Sequence, residues 1–343
     1  AQRSIVLGLG GALRRSASSL AAIQSSASPA AAGMLNRLIE RATHNAGDGN
    51  ASIDARIAAV NLLGCFGGAQ IAGVLVPLVD PAQSEALQLA ALRTLAAQQE
   101  PSIAGGVIHV WQRCTPKVQE EIIALLASRA SWATQLLEAC DRGDVSAAQI
   151  SGQRRVALVN HQDAAVRASA EKLFSAGNSP RGQVLTDYQQ ALSLPADVAR
   201  GDKVYEQHCM ACHQLVGRGF PVGPNLALVR NRTDGAMLEA ILDPNREVHP
   251  NYVNYVVIDN SGRTLTGLVT SESATGITLS RDKGASETVL KQNIEAIKST
   301  GKSLMPEGLE KDITPQQMAD LLAFLKQMQY DIGTRPDFVD PED

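Results

Sequence analysis

Two cysteines and a histidine stand together in "HCMACHQL", residues 208 to 215, with Cys209, Cys212 and His213 spaced as C-x-x-C-H. Three chemistries use such a group. A redox dithiol wants a strand before it, a helix after it and an alternating α/β pattern around both. The residues ahead of Cys209, "VARGDKVYEQH", instead read as a short helix. A zinc site needs two more ligands at suitable spacing, and the chain has no second C-x-x-C. In C-x-x-C-H the two thiols can add to the vinyl groups of a haem while the adjacent imidazole reaches the iron. That reading is favoured, with Cys209 and Cys212 as anchors and His213 as proximal metal ligand.

The residues downstream raise it further. "VGRGFPVGPNLALV", 216 to 229, is a Gly/Pro-rich loop placed where a small haem protein wraps the proximal face. Pro224 has no N–H but keeps a carbonyl that can accept from His213 Nδ1, orienting the ring. For the distal metal ligand the choice is Met305 in "KSLMPEGL", because a methionine in a polar, Pro/Gly-bounded loop is poorly explained as core filling and a thioether is a soft iron ligand. His249 in "ILDPNREVHPNY" is the runner-up, and bis-histidine ligation would lower the potential. His208 precedes Cys209 on the same short segment and is poorly placed to reach the opposite haem face. No catalytic constellation is visible.

Several elements must hold these residues. A helix starting at or near Asp197 brings Val204 and Tyr205 onto one side and the cysteines to its end. A tail helix in "TPQQMADLLAFLKQM", 314 to 328, has Thr314 as N-cap, Pro315 next, and an apolar face of Leu321, Leu322 and Leu325 that could cross the first helix. Met305 stands 92 positions after His213. Much of that interval, about 252 to 297, has β-rich runs at 253–258, 264–270, 276–280 and 286–290, with turns at 260–262 and 282–284. It reads as a small inserted sheet or SH3-like barrel, serving as docking surface, haem-edge cover or stabilising embellishment.

The first 175 residues have another texture. Apolar stripes at helical spacing run through 54–64, 84–97, 116–128 and 164–174, and aligning Val60, Leu92 and Ile123 gives steps of 32 and 31 residues, then 47 to Ala170. Segments 71–80 and 131–140 supply second helices. The unit is an irregularly repeated helical pair, expected as an α-solenoid, with an ordinary helical bundle as the alternative. Either implies scaffolding or partner contact. Cys65, Cys114 and Cys140 fall in apolar helical patterns as small buried thiols. A helix-breaking cluster at Gly177, Asn178, Pro180 and Gly182 precedes a short connecting helix in "VLTDYQQAL".

Composition is consistent with this division. Aromatic residues are 3% of the chain and hydrophobic ones 44%, favouring helices packed through Ala, Leu, Ile and Val. Formal charge is −4, and residues 201–343 hold 14 basic against 20 acidic side chains, so neither part has the cationic excess of a nucleic-acid binder. The opening run is broken by Gly8, Gly10 and Gly11, and no apolar stretch approaches 20 residues, so no membrane-spanning segment is expected. The opening without Met suggests that something upstream is missing.

The order Gly201, Tyr205, Cys209, Cys212, His213, then GPNL at 223–226, SLMPEGL at 303–309 and a final helix resembles a class I cytochrome c. With its long insertion it is similar to the planctomycete-type haem-binding domain often joined to HEAT-like repeats. The cytochrome resemblance covers about 140 residues, the combined one nearly the whole chain. The fold expected is mainly α: HEAT-like repeats at 1–175, a linker at 176–195, a cytochrome c-like haem domain at 196–330 with the β-rich insertion, and an acidic tail at 331–343. The resemblance implies one covalent haem c with its iron, export to the periplasm or another exported compartment before haem attachment, and one-electron transfer without independent substrate turnover. It also implies a redox protein partner or an upstream dehydrogenase domain. Haem sensing or peroxide chemistry with a displaceable distal ligand, and a mainly scaffolding protein, are the alternatives. Oligomeric state and electron donor are not read from the sequence.

Overall fold

The computed structural model describes residues 27–174, 181–228 and 232–333. The glycine-broken opening segment, the breaker cluster at 177–180, Val229 and the acidic tail from 334 onward lie outside the described residues. The described fold is mainly helical with one small antiparallel sheet. Among the described residues no helix is long and apolar enough to cross a membrane. The chain divides into two compact units: Ala1–Ser146 with Gln153–Leu173 and Glu272–Thr275, and Ala147–Gly152 with Phe174–Ser271 and Gly276–Asp343.

The first unit holds α1 (Pro29–Gly47), α2 (Ile53–Leu63), α3 (Ala69–Leu75), α4 (Glu85–Leu95), α5 (Ser102–Val110), α6 (Pro116–Leu126) and α7 (Ala130–Arg142), then α8 (Gly152–Val159) and α9 (Ala164–Phe174) at its end. Ser28 and Ser52 cap α1 and α2 by accepting from the N–H groups of Ala31 and Ala55. Helices α2, α4 and α6 pack in one row, with α5 and α7 in contact beside them. Side chains tie successive pairs together at a regular step. Gln98 donates to the Phe66 carbonyl 32 positions back, Lys117 to Glu85 across 32, and Arg129 to the Ala96 carbonyl across 33. Trp111, Trp132, Leu92 and Ile122 fill the interior. Helices α1, α5 and α8 escape the sequence expectation. In α5 the reason is Gly105–Gly106, which lowers helix propensity; the close approach of Val76, whose Cγ1 would lie 2.5 Å from a Cβ at 106, explains the second glycine.

The second unit is built on a helix crossing. Asp197 caps α11 (Val198–His208), its carboxylate accepting from Arg200 N–H at 2.8 Å. Thr314 and Gln317 form a reciprocal capping box at the start of α13 (Pro315–Gly333), with Gln317 Oε1 accepting from Thr314 N–H at 2.9 Å and Thr314 Oγ1 accepting from Gln317 N–H at 3.3 Å. At the crossing a Cβ on Gly201 would overlap the Asp320 carbonyl oxygen and sit 2.7 Å from Phe324 Cβ. Only glycine lets the two backbones meet there. Around it Val204, Tyr205, Leu215, Met318, Leu321 and Leu325 form the core, joined by Met237, Leu238 and Leu242 from α12 (Asp234–Leu242).

The stretch expected to link the two parts does more than connect. It contains α10 (Gly182–Tyr188), and Tyr188 and Ala191 belong to the core of the second unit. The Tyr188 hydroxyl donates to the carbonyl of Ile313 at 2.7 Å, and Arg181 pairs with Glu310. A phenol and a guanidinium gave the sequence pattern no apolar stripe by which to see this packing.

After α12 come β1 (Val253–Asp259), β2 (Thr264–Glu272), β3 (Gly276–Ser280), β4 (Ser286–Leu290) and β5 (Ile294–Ser303), in the order β4-β3-β2-β1-β5. The first four follow the expected runs. β5 is not among the expected runs and carries the sheet past 297, where the insertion was expected to end: of "IEAIKSTGKS" only Ile297 and Ser299 are buried, too sparse an alternation to read as a strand. It returns antiparallel along β1, with Val257 opposite Ile297. The inner face is apolar, through Val253, Tyr255, Val257, Leu265, Leu279 and Val289.

Candidate functional site

The cysteine loop grows directly out of the end of α11. Cys209 and Met210 donate their N–H groups to the Tyr205 carbonyl at 2.9 and 3.0 Å, and Cys212 and His213 donate to the Cys209 carbonyl at 3.1 and 2.9 Å. The motif is thus wound into a tight turn that continues the helix. Its carbonyls are used by the next strand of chain: Met210 accepts from Phe220 N–H, and Cys212 accepts from Val222 and Gly223 N–H at 3.1 and 2.6 Å. The wrap is closed by a reversal between Leu215 and Arg218, with Val216 and Gly217 both at positive φ.

Tyr205 ties the layers together. It is fully buried, its hydroxyl donates toward the carbonyls of His213 and Arg218 at 2.9 and 3.1 Å, and its ring lies 5.7 Å from that of Phe324 on α13. Arg218 lies over the same ring, 5.6 Å from its centroid, and pairs with Asp202 and Glu206 on α11. Two glycines make the packing sterically possible. A Cβ on Gly219 would meet the His213 carbonyl and sit 2.8 Å from the Tyr205 hydroxyl; one on Gly223 would sit 2.6 Å from Cε1 of the His213 ring.

His213 is held by its δ nitrogen. Nδ1 lies 2.8 Å from the Pro224 carbonyl oxygen, which can only accept, so this nitrogen carries the proton and Nε2 keeps its lone pair. Burial lowers the imidazole below its usual pKa, against the opposing effect of the Pro224 bond. The ring is therefore neutral near pH 7, the form that ligates metals.

Both thiols of the motif are free and half-buried. Burial, with the neighbouring Cys212 adding, pushes Cys209 up to about 12; Cys212 is raised by burial and by the Asp282 carboxylate. A redox dithiol depends on a depressed thiol pKa, so the environment here is the reverse of the one that chemistry needs. Among the described residues no group of three or more His, Cys, Asp or Glu side chains is placed to hold a metal ion, which leaves a four-ligand zinc site without support.

The sheet reaches this loop. Lys283, at φ 56° in the turn between β3 and β4, donates its N–H to the Ala211 carbonyl at 2.7 Å, and a Cβ on the next residue, Gly284, would touch the Phe220 ring at 3.3 Å. The turn of the insertion thus packs on the middle of the C-x-x-C.

Residues 198–257 match the family described as cytochrome c. A cytochrome c-like domain is present. Its matched portion runs from the first residue of α11, through the cysteine loop and α12, into β1. It stops where the inserted sheet begins, so neither the Met305 loop nor α13 is inside it. No curated protein matches the chain.

Outside the matched portion, Met305 is half-buried in the loop that follows β5. Its N–H donates to Ser303 Oγ at 3.1 Å, and Leu304 N–H donates to the Tyr252 carbonyl at 3.0 Å. His249 is exposed and engaged locally, its Nδ1 accepting from Asn251 N–H at 3.3 Å and its ring lying 5.8 Å from that of Tyr252. Two residues of the second unit went unnoticed in the sequence. Asp320, 1% exposed, accepts from Asp197 N–H at 2.7 Å and pairs with Arg200 at 2.7 Å, clasping α13 to the start of α11. Asn245, in "DPN" after α12, bonds to residues on both sides of Met305. The only sequence signal at Asn245 is its turn-forming neighbourhood, which gives no hint of the partners.

The donor set and its cradle fit a haem c: two free thiols on one turn, a neutral imidazole with its δ nitrogen committed, and a glycine whose missing Cβ makes room for the ring.

Proposed function

We propose that the cytochrome c-like domain carries one covalent haem c and serves one-electron transfer. The observation that carries this reading is the hydrogen bond from His213 Nδ1 to the Pro224 carbonyl within a loop that also presents Cys209 and Cys212. Such a bond fixes tautomer and ring orientation and strengthens the other nitrogen as a donor. When bound, the group would supply a reversible one-electron couple at its iron.

The chain's own residues divide the work. Cys209 and Cys212 would anchor the group, His213 Nε2 and Met305 Sδ would hold the iron, and Pro224 keeps the proton on Nδ1. Gly223 leaves the ring its space, and Tyr205 pins the backbone of the ligand from behind. With His213 and Met305 both holding the iron, no position would be left for a substrate, which favours electron transfer over turnover. Met305 is preferred to His249 because the histidine already caps a turn from an exposed position.

The same reading makes this an exported protein, periplasmic or equivalent, since the attachment chemistry belongs to such compartments. It serves a redox partner or a dehydrogenase domain encoded upstream. The first unit is proposed as HEAT-like repeats that hold a partner, supported by the ties across 32 to 34 positions between successive helical pairs.

The test is chemical. Haem should survive acid–acetone extraction and denaturing electrophoresis of the protein, and Cys209→Ala/Cys212→Ala should lose it while the helices of the first unit keep their hydrogen-exchange protection. Haem retained on the denatured double variant would sink the assignment. Exclusion of carbon monoxide from the reduced protein is expected if His213 and Met305 both hold the iron; ready binding would point to a displaceable ligand and to sensing or peroxide chemistry.

A further inference from the structure

We infer that Asn245 is the positioning residue for Met305. This deepens the ligand assignment just proposed and rests on it. The Met305 loop leaves β5 at Ser303 and reaches Gly308, which takes φ 96°. Within it the local bond is weak in reach: Ser303 Oγ accepts from Met305 N–H only two positions on. The distant bonds come from the segment between α12 and β1. Asn245 Oδ1 accepts from Ser303 N–H at 2.8 Å, and Asn245 Nδ2 donates to Glu307 Oε1 at 2.7 Å. The two partners stand two residues before and two residues after Met305. One amide therefore spans the ligand's loop at its base.

Asparagine is the side chain this geometry calls for. A backbone N–H needs an acceptor and a carboxylate needs a donor, so the partners themselves assign the amide orientation. Aspartate would still accept from Ser303 but would set a second negative charge against Glu307. Alanine would free both ends. The Leu304 N–H bond to the Tyr252 carbonyl, 3.0 Å, would then remain as the tie to the same segment. A sulfur ligand must be held at a fixed depth and angle, and a loop loosened at both ends presents it only part of the time.

The experiment compares four haem-loaded full-length proteins: wild type, Asn245→Ala, Met305→Ala and the double variant. Asn245→Ala should lower the reduction potential in the direction of Met305→Ala and admit carbon monoxide to a fraction of molecules. In the double variant the potential should equal that of Met305→Ala, because a residue acting through Met305 has nothing left to act on. In haem-free protein, amide exchange at Ser303 and Leu304 should rise about tenfold in Asn245→Ala, as expected for losing one hydrogen bond's local stability. Glu307→Gln keeps an acceptor for Nδ2 and should behave as wild type; Glu307→Ala gives a milder version of the effect should Asn245→Ala not accumulate. If Met305→Ala leaves potential and carbon monoxide exclusion unchanged, the ligand assignment fails and this inference with it. If Met305→Ala changes both but neither Asn245→Ala nor Glu307→Ala does, the inference alone is overturned. A potential shift by Asn245→Ala that is equally large with and without Met305 also overturns it.

Discussion

The cysteines of the two units look alike by one measure and differ by another. Cys114 and Cys140 in the first unit and Cys209 in the second are all pushed up to about 12, in each case mainly by burial. Protonation state does not distinguish them. What differs is the backbone. Cys114 sits inside, its thiol donating to the Val110 carbonyl one helical turn back, while Cys209 and Cys212 lie on a turn beside an imidazole whose δ nitrogen is already committed. A buried thiol alone is packing; thiols arranged around an oriented histidine make the candidate site. The same holds for glycine. At 106 it accommodates a neighbouring side chain, whereas at 201 it accommodates a neighbouring backbone.

That contrast sets the largest stability effect expected. Gly201→Ala places a methyl against the Asp320 carbonyl, which α13 cannot move without losing its own hydrogen bonds. The gain in helix propensity, about 1 kcal/mol, is outweighed by a packing cost of about 3 kcal/mol or more. Hydrogen exchange measured on the intact chain should show protection lost across 198–208 and 315–328 while α4 and α6 stay protected. Unchanged protection at the crossing would show that the helices can part at little cost.

Asp320→Asn should come next, at roughly 2 kcal/mol, because the buried carboxylate serves both Arg200 and the N–H of Asp197, the residue that caps α11. Burial pushes this acid up, but the Arg200 guanidinium, the Asp197 N–H and the Gln316 amide outweigh it and hold the pKa below the ordinary carboxylate value. A depressed folded pKa means stability that is fully present above the unfolded pKa, about 3.9, and lost as pH falls through the folded one. Wild-type protection of α11 should therefore weaken in acid below that point, and Asp320→Asn should flatten the dependence. An acid limb of the same size in the variant would assign it to other carboxylates.

How much of this was legible in the sequence follows the range of the interactions. Helices α2, α4 and α6 announce themselves because their stripes are local, and the cysteine motif is legible because its chemistry fits in five residues. The Pro224 carbonyl could be singled out because proline offers only an acceptor and the loop length places it near the ring. Asn245 and Asp320 could not. Their partners lie 58 and 62 positions away for the first and 120 and 123 for the second, and an amide or carboxylate in a polar segment looks the same whether or not such partners exist. β5 was missed because its buried positions are few, and α5 because the glycine that allows its packing lowers its propensity.

A smaller effect belongs to the buried amide of the first unit. Gln119, 1% exposed, donates to the Trp111 carbonyl at 2.9 Å, and Gln88 does the same for Asp80 at 2.8 Å one repeat earlier. Gln119→Met keeps the volume but removes this bond, leaving the Trp111 carbonyl to the Cys114 N–H at 3.1 Å, at a cost of about 1 kcal/mol. The loss should appear as a lower urea midpoint for α6 by hydrogen exchange, with α11 and α13 unaffected. An unchanged midpoint would mean that water replaces the amide.

The smallest effect is expected at Gly106, and it completes the comparison with Gly201. A Cβ there would meet Val76 Cγ1 at 2.5 Å, too close to stand, but the obstacle is the end of a side chain that can turn about χ1, not a peptide group. Alanine also restores the helix propensity that Gly105–Gly106 removes from α5, worth about 1 kcal/mol. A rotamer change of a β-branched residue costs a similar amount, of order 0.5–1.5 kcal/mol. The two nearly cancel, so Gly106→Ala should shift the stability of α5 by less than about 1 kcal/mol. Hydrogen exchange of the α5 amides decides it. A loss as large as that of Gly201→Ala would mean that Val76 is locked by its neighbours, and that the first unit is as intolerant of backbone crowding as the second.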